Sequence, residues 1–332
     1  MKVQIYTGSM SLVAKSGVGQ AILHQRMMLS EAGVATTDKW EDEGPIHLNT
    51  VFPDAALTAI LARKKGRKVV YYGHSTMEDF KNSFIGSNLL APLFKKWITF
   101  CYNLGDVVIT PTDYSRGLLK SYGIKKPIYS LSNGIDTRFF APSAKARRRF
   151  RDKYRIGDSE KVIISAGHFI ERKGLPEFVE MARQMPECRF IWFGHTPLSM
   201  VPLAIRQAIE TAPQNCLFPG FVSQAELRDA YCGADLFAFL SSEETEGIVV
   251  LEALACGIPA LLRDIPVYSG WLTDGENVYM AGNDGEFVKK ARAMLDGSLP
   301  SLTEAGMRTA QSRSMRATGE RLREIYKKEG ME

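Results

Sequence analysis

Short apolar runs of four or five residues alternate along the chain with longer stretches in which apolar positions recur every three or four residues. The first spacing is that of fully buried strands and the second that of helices laid on them, so the pattern predicts βαβ units and parallel sheets. In the first half the expected strands are Val3–Tyr6, Ile46–Leu48, Lys68–Tyr72, Val107–Thr110 and Ile128–Leu131. In the second half they are Val162–Ala166, Arg189–Phe193, Cys216–Phe218, Leu236–Leu240 and Ala260–Leu262. Helices are expected between them: Gln20–Ala32 stopped by Gly33, Asp54–Lys65 stopped by Gly66, and Gln224–Cys232 opened by the capping box Ser223-Gln-Ala-Glu226. Two doubly wound α/β sheets follow.

At 332 residues the chain exceeds what one hydrophobic core supports, so two domains are expected, with function sought in the cleft between them. The division falls near Pro142, giving an N-terminal domain over residues 1–140 and a C-terminal one over 141–310. Residues 311–332 are expected to form a charged helix packing back across the junction. The segment Lys145–Arg155, with seven basic residues and one acidic, stands where a linker belongs.

Charge is divided unevenly. Residues 1–140 carry 17 Lys and Arg against 11 Asp and Glu, whereas residues 141–332 carry 25 against 26. A one-sided basic face suits a nucleic acid, an anionic membrane or a phosphorylated substrate, and charge alone does not choose among them. The five cysteines (Cys101, Cys188, Cys216, Cys232, Cys256) are scattered, which suggests neither a disulfide framework nor a zinc site and fits reducing cytosol. The chain opens on a strand-like Val3–Tyr6 rather than a secretion signal. Its longest nearly uncharged run, Gly247–Leu262, is interrupted by Glu252 and Gly257-Ile258-Pro259, so no membrane span is expected.

The strongest chemical signal is Ser241-Ser242-Glu243-Glu244-Thr245-Glu246-Gly247, followed by the apolar Ile248–Leu254 with Glu252 inside it. A strand ends in an acidic loop and a helix begins near Gly247, the arrangement in which doubly wound sheets bind ligands and helix amides meet phosphate. Acidic residues also favour a helix start through its dipole alone, and Glu252 could lie on a solvated face. Its apolar neighbours argue otherwise, because an unpartnered carboxylate among them is costly.

The spacing Glu244-x7-Glu252 followed by Ala253-Leu254-Ala255-Cys256-Gly257-Ile258-Pro259 resembles the donor-site signature of retaining, nucleotide-sugar-dependent GT-B glycosyltransferases of the family 4 type. Other segments resemble that family in order: Lys15-Ser16-Gly17-Val18-Gly19, Tyr72-Gly73-His74-Ser75, Ser132-Asn133-Gly134-Ile135-Asp136 and Gly167-His168-Phe169-Ile170-Glu171-Arg172-Lys173-Gly174. The resemblance implies a GT-B fold, two Rossmann-like domains facing across a cleft. It further implies that Lys173 holds the donor diphosphate, Glu244 the sugar hydroxyls and Glu252 the ribose. Gly247, Ile248 and Val249 would offer backbone amides, and Gly17 and Gly19 would let backbone approach the donor. His74 matches a histidine beside the transferred sugar, although by itself it reads first as a cap on a strand end. Two departures bear on the donor: His168 stands where the family usually has arginine, leaving Arg172 to assist Lys173, and Glu246 stands where it usually has phenylalanine.

No residue offers itself as a covalent nucleophile, no Asp-x-Asp occurs, and the five histidines lack ligand spacing, so a metal-independent reaction without cofactor is expected. Lys81–Leu104 is amphipathic, with Lys81, Phe94, Lys95, Lys96 and Trp97 as candidates for a membrane face. An ordinary helix burying its apolar side on the sheet fits equally. The basic N-terminal half favours the membrane, and the segment also resembles bacterial diglycosyl-diacylglycerol synthases. The expectation is therefore a cytoplasmic enzyme held at the inner face of the membrane, using a UDP-hexose and a glycolipid acceptor. A soluble or polymeric acceptor, or a non-catalytic nucleotide- or membrane-binding module, is the alternative, and no motif supports nucleic acid.

Overall fold

The computed structural model describes residues 1–9, 17–40, 43–84 and 86–331. The chain forms two compact units: Met1–Phe80, Leu89–Asp136 and Arg313–Glu332 in the first, Lys81–Asn88 and Thr137–Ser312 in the second. The first contains β1 (Lys2–Tyr6), β2 (Ala35–Thr37), β3 (Ile46–Leu48), β4 (Val69–Tyr72), β5 (Val107–Thr110) and β6 (Ile128–Ser130). They form one parallel sheet in the order β2-β1-β3-β4-β5-β6. The second contains β7 (Val162–Ala166), β8 (Arg189–Phe193), β9 (Cys216–Gly220), β10 (Leu236–Phe239), β11 (Ala260–Arg263) and β12 (Tyr279–Ala281). Its parallel order is β12-β11-β10-β7-β8-β9. Strand order reverses between β1 and β3 in one sheet and between β7 and β10 in the other. Loops leaving those strands therefore diverge and open a crevice in each unit.

The central strands are uniformly buried, as parallel strands covered on both faces must be. The sequence did not suggest β2 and β12. Both are edge strands of three residues: β2 is polar at two of its positions and buried at none, whereas β12 is apolar and buried throughout.

The basic segment at 145–155 is no linker. Ala144–Lys153 is a helix of the second unit that packs on Gln224–Gly233. Arg149 makes two bonds to Asp229 at 2.7 and 2.6 Å, and Arg147 and Arg151 donate to the carbonyl of Gly233 at the partner helix's C-terminus. The positive run thus answers a helix dipole and carboxylates, as cations near a C-terminus do.

The terminal helix Met315–Lys328 lies against Gly17–Glu31 within the first unit. Contact is close at Gly319, where a Cβ would stand 2.5 Å from the Met28 carbonyl oxygen. Tyr326, fully buried, bonds through its hydroxyl to His47 Nε2 at 2.6 Å.

Candidate functional site

In the second unit, two loops flank the β7/β10 switch point. The loop after β7 ends in a turn, Glu171–Lys173, closed by Gly174 at φ +75°. A Cβ on Gly174 would sit 2.5 Å from the Leu240 carbonyl oxygen, so only glycine lets this turn lie against the end of β10. The Arg172 carbonyl accepts from Ser242 N at 2.7 Å and from Ser241 Oγ at 3.1 Å, and Arg172 Nη1 donates to the Glu243 carbonyl at 2.8 Å. These bonds clamp the basic turn to the acidic loop.

Inside the clamp Lys173 Nζ is ion-paired with Glu244 Oε1, which also accepts from Ser241 Oγ at 2.7 Å and lies 3.6 Å from Arg172 Nη1. The Lys173 and Glu244 side chains are 12% and 8% exposed. Burial alone would raise the Glu244 carboxyl, but the charges of Lys173 and Arg172 and the Ser241 hydroxyl outweigh it and hold the group below its ordinary value. Glu244 is therefore an anion at neutral pH.

Glu252 stands in the opposite state. It lies on the helix Ile248–Cys256, is 3% exposed, and has one bond, from the Tyr231 hydroxyl at 3.1 Å. Burial pushes its carboxyl up to about 8 against the small opposing effect of that bond, so it carries a proton at neutral pH. Gly247 precedes the helix at φ +86°, and with Ile248 and Val249 it forms the helix entry. Glu246 is also buried, 1% exposed, beside that entry.

His168 donates from Nδ1 to the His195 carbonyl oxygen at 3.0 Å. That bond assigns the proton of a neutral ring to Nδ1 and leaves Nε2 without one. A neutral His168 is thus an acceptor where an arginine would be a donor.

The first unit holds the other expected residues. Lys15 and Ser16 lie outside the described residues; Gly17 and Gly19 belong to the first turn of Gly17–Glu31 rather than to a loop. A Cβ on Gly17 would meet nothing within 4 Å among the described residues, so no contact with them requires glycine there. From the same helix His24 Nδ1 bonds the carbonyl of Gly134 at 2.9 Å, tying in the Asn133-Gly134 turn, where Gly134 has φ +73°. His74 follows β4, stacked on Tyr72 and 3.0 Å from Asn49 Oδ1 through Nε2. Burial lowers its imidazole to about 4.

The helix Ser87–Asn103 turns its faces differently from the expectation. Phe94 stacks on Phe80 with centroids 4.0 Å apart, Trp97 Nε1 donates to the Val51 carbonyl at 2.6 Å, and Lys95 covers the Tyr122 ring. Phe94, Lys95 and Trp97 are half-buried, whereas Lys81 and Lys96 are exposed and Ile85 lies outside the described residues. The apolar side chains that reach solvent are Leu89 (86% exposed), Leu93 (66%), Leu90 and Phe100, with Leu57 and Leu61 of the helix Pro53–Lys64. Among the described residues no helix is long and apolar enough to cross a membrane, and no cluster of three His, Cys, Asp or Glu is placed to hold a metal.

Pattern reading missed Tyr268, Asn49 and Gln25, and gave Ser241, inside the acidic segment, no role of its own. Tyr268, 1% exposed, has a hydroxyl with no partner among the described residues, 3.8 Å from where a Gly247 Cβ would stand. A lone tyrosine after β11 carries no spacing signal that would have found it.

Two doubly wound parallel sheets in two units are the architecture of the GT-B fold. The chain belongs to the group 1 glycosyl transferases, whose profile matches residues 146–311, and the family 4 glycosyltransferase profile matches residues 45–139. The processive diacylglycerol alpha-glucosyltransferase of Acholeplasma laidlawii is 39% identical over 328 residues, 98% of each chain. The alpha-galactosylglucosyldiacylglycerol synthase of Streptococcus pneumoniae is 26% identical over 251 residues, 74% of this chain and 66% of that protein. The crystal structure of HepE from Anabaena in complex with UDP and glucose shares the fold, with a TM-score of 0.77 at 16% identity over 99% of this chain and 100% of that one.

Proposed function

We propose that the protein transfers a hexose from a UDP-sugar, glucose or galactose, to a membrane glycolipid such as monoglucosyl-diacylglycerol, with retention, giving an α-linked diglycosyl lipid. The observation that carries this reading is the buried Lys173–Glu244 pair beside the helix entry at Gly247. The 39% identity to a diacylglycerol alpha-glucosyltransferase over nearly the whole chain supports the lipid acceptor.

In this reading Lys173 and Arg172 face the donor diphosphate with the amides of Gly247, Ile248 and Val249, Glu244 accepts from sugar hydroxyls, and Glu252 meets the ribose. The acceptor oxygen attacks the anomeric carbon on the face from which the diphosphate departs. As the anomeric carbon–oxygen bond breaks, the departing diphosphate oxygen takes the acceptor's proton. Fixed positive charge and helix amides stabilise the leaving group, so catalysis is electrostatic preorganisation and positioning. His74 attends the transferred sugar. No metal is assigned a role, and transfer in EDTA should match that without it.

Exposed Leu89, Leu93 and Phe100 with Lys96 on one helix, and exposed Leu57 and Leu61 with Lys64 and Lys65 on or just after another, are the apolar and basic side chains that an anionic lipid surface at the inner side of the cell membrane would take up. The test is to offer UDP-glucose and UDP-galactose with monoglucosyl-diacylglycerol in anionic vesicles and to identify the product and its anomer by NMR. Formation of a β-linked product contradicts retention. Failure to bind either UDP-sugar returns the chain to a non-catalytic module.

A further inference from the structure

The helix Gly17–Glu31, β3 and β4 bring three side chains together at the C-terminal ends of their strands. Asn49, the residue after β3, is 3% exposed and Gln25 is 1% exposed. Their amides pair reciprocally: Asn49 Nδ2 donates to Gln25 Oε1 at 3.1 Å, and Gln25 Nε2 donates to Asn49 Oδ1 at 3.4 Å. Asn49 Oδ1 is also the atom 3.0 Å from His74 Nε2. In this orientation of the pair the Asn49 amide presents its oxygen to the ring. An amide oxygen accepts and does not donate, so Nε2 must carry hydrogen.

A neutral imidazole has a single N–H, which leaves Nδ1 with its lone pair. Among the described residues Nδ1 meets no donor, and His74 is only half-buried. Tyr72, stacked at 5.8 Å between centroids, limits rotation of the ring from one side. Two amides have thus been taken out of water and spent on one another and on a single histidine nitrogen. Buried polar groups of this kind are stable only when fully connected, and a connected network has one geometry.

We propose that Asn49, backed by Gln25, is a positioning residue that fixes His74 in its Nε2–H tautomer and turns the Nδ1 lone pair outward to accept from a sugar hydroxyl. The inference rests on the reading of His74 as the histidine beside the transferred sugar. It adds that His74 orients a hydroxyl and polarises its oxygen, and does not deliver a proton. Burial, which lowers the imidazole to about 4, keeps the ring in the neutral form this requires.

The test combines spectroscopy with a double-mutant cycle. In wild-type protein labelled with 15N-histidine, His74 should show a pyrrole-type Nε2 and a pyridine-type Nδ1 at neutral pH; a ring protonated at Nδ1 overturns the proposal without any variant. Asn49→Leu should lower kcat about tenfold, the effect of one lost hydrogen bond, with little change in the donor's KM. Asn49→Asp keeps the acceptor oxygen but sets a carboxylate beside the ring, so it should raise the pH at which His74 takes up a second proton and lower the rate below that pH. In a His74→Ala background Asn49→Leu should have no further effect, because it acts only through the ring. If the two losses multiply, Asn49 is merely structural and the proposal fails. If His74→Ala alone retains near-normal turnover, the reading of His74 itself is wrong and the inference falls with it.

Discussion

Replacing Glu252 with glutamine should stabilise the donor-binding unit at neutral pH while weakening its hold on the nucleotide. Burial raises the Glu252 carboxyl from 4.5 to about 8, so between those values the folded protein keeps a proton that the unfolded chain releases. Stability conferred by such a group is full below the unfolded value and falls as pH rises, levelling off once the folded carboxyl also ionises. At 1.36 kcal/mol for each pH unit between 4.5 and 7, the wild type forgoes about 3 kcal/mol at pH 7. Glutamine has the same shape, accepts equally from the Tyr231 hydroxyl and gains nothing from unfolding into water as an anion. Glu252→Gln should therefore match the wild type near pH 4.5 and exceed it by about 3 kcal/mol at pH 7. Urea unfolding from pH 4.5 to 8, followed through Trp192, which is fully buried in the same unit, measures the difference. UDP affinity should fall about tenfold in the same variant if the carboxyl meets the ribose. Parallel stability profiles for the two proteins across that range would refute the reasoning, since they would mean that Glu252 ionises alike folded and unfolded.

Lys173→Ala strands the buried Glu244 anion beside Arg172 alone, so it should abolish transfer and cost about 3 kcal/mol of stability. Lys173→Met with Glu244→Gln should recover the stability but not the transfer, a separation seen by thermal unfolding alongside a rate assay. His168→Arg replaces an acceptor nitrogen with a fixed cationic donor and should lower the donor's KM about threefold to tenfold. Leu89→Ser with Leu93→Ser removes apolar surface already exposed to water, so folding should be unchanged while sedimentation with anionic vesicles falls at least tenfold, as about 1.5–3 kcal/mol per buried side chain implies.

The two sheets were legible because a parallel strand covered on both faces must be largely apolar, and β10 reads that way residue by residue and β7 at every position but Ser165. The same rule hid β2, an edge strand with no buried position; it does not account for β12, which is apolar and buried at all three positions. The basic helix Ala144–Lys153 resembled a linker because its partners Asp229 and Asp235 lie some eighty positions along the chain, where no local pattern connects them. Helix Ser87–Asn103 is apolar on two faces, so periodicity announced an amphipathic helix but did not say that Phe94 and Trp97 turn inward and Leu89 and Phe100 outward. Lys173 and Glu244 were legible through the family motif; that they pair with one another, 71 positions apart, was not. Asn49 and Gln25 left no trace at all, since a buried amide pair is made by two ordinary polar residues that only the fold brings together.

The central claim is that the Lys173–Glu244 site uses a UDP-sugar to glycosylate a membrane lipid. Its most direct test is transfer of labelled hexose from UDP-glucose or UDP-galactose into chloroform-soluble diglycosyl-diacylglycerol, by the wild type and by Glu244→Ala in the same anionic vesicles. The account predicts label in the lipid with the wild type from one of the two donors and none above background with Glu244→Ala. Equal incorporation by both proteins, or none by the wild type from either donor, would contradict it.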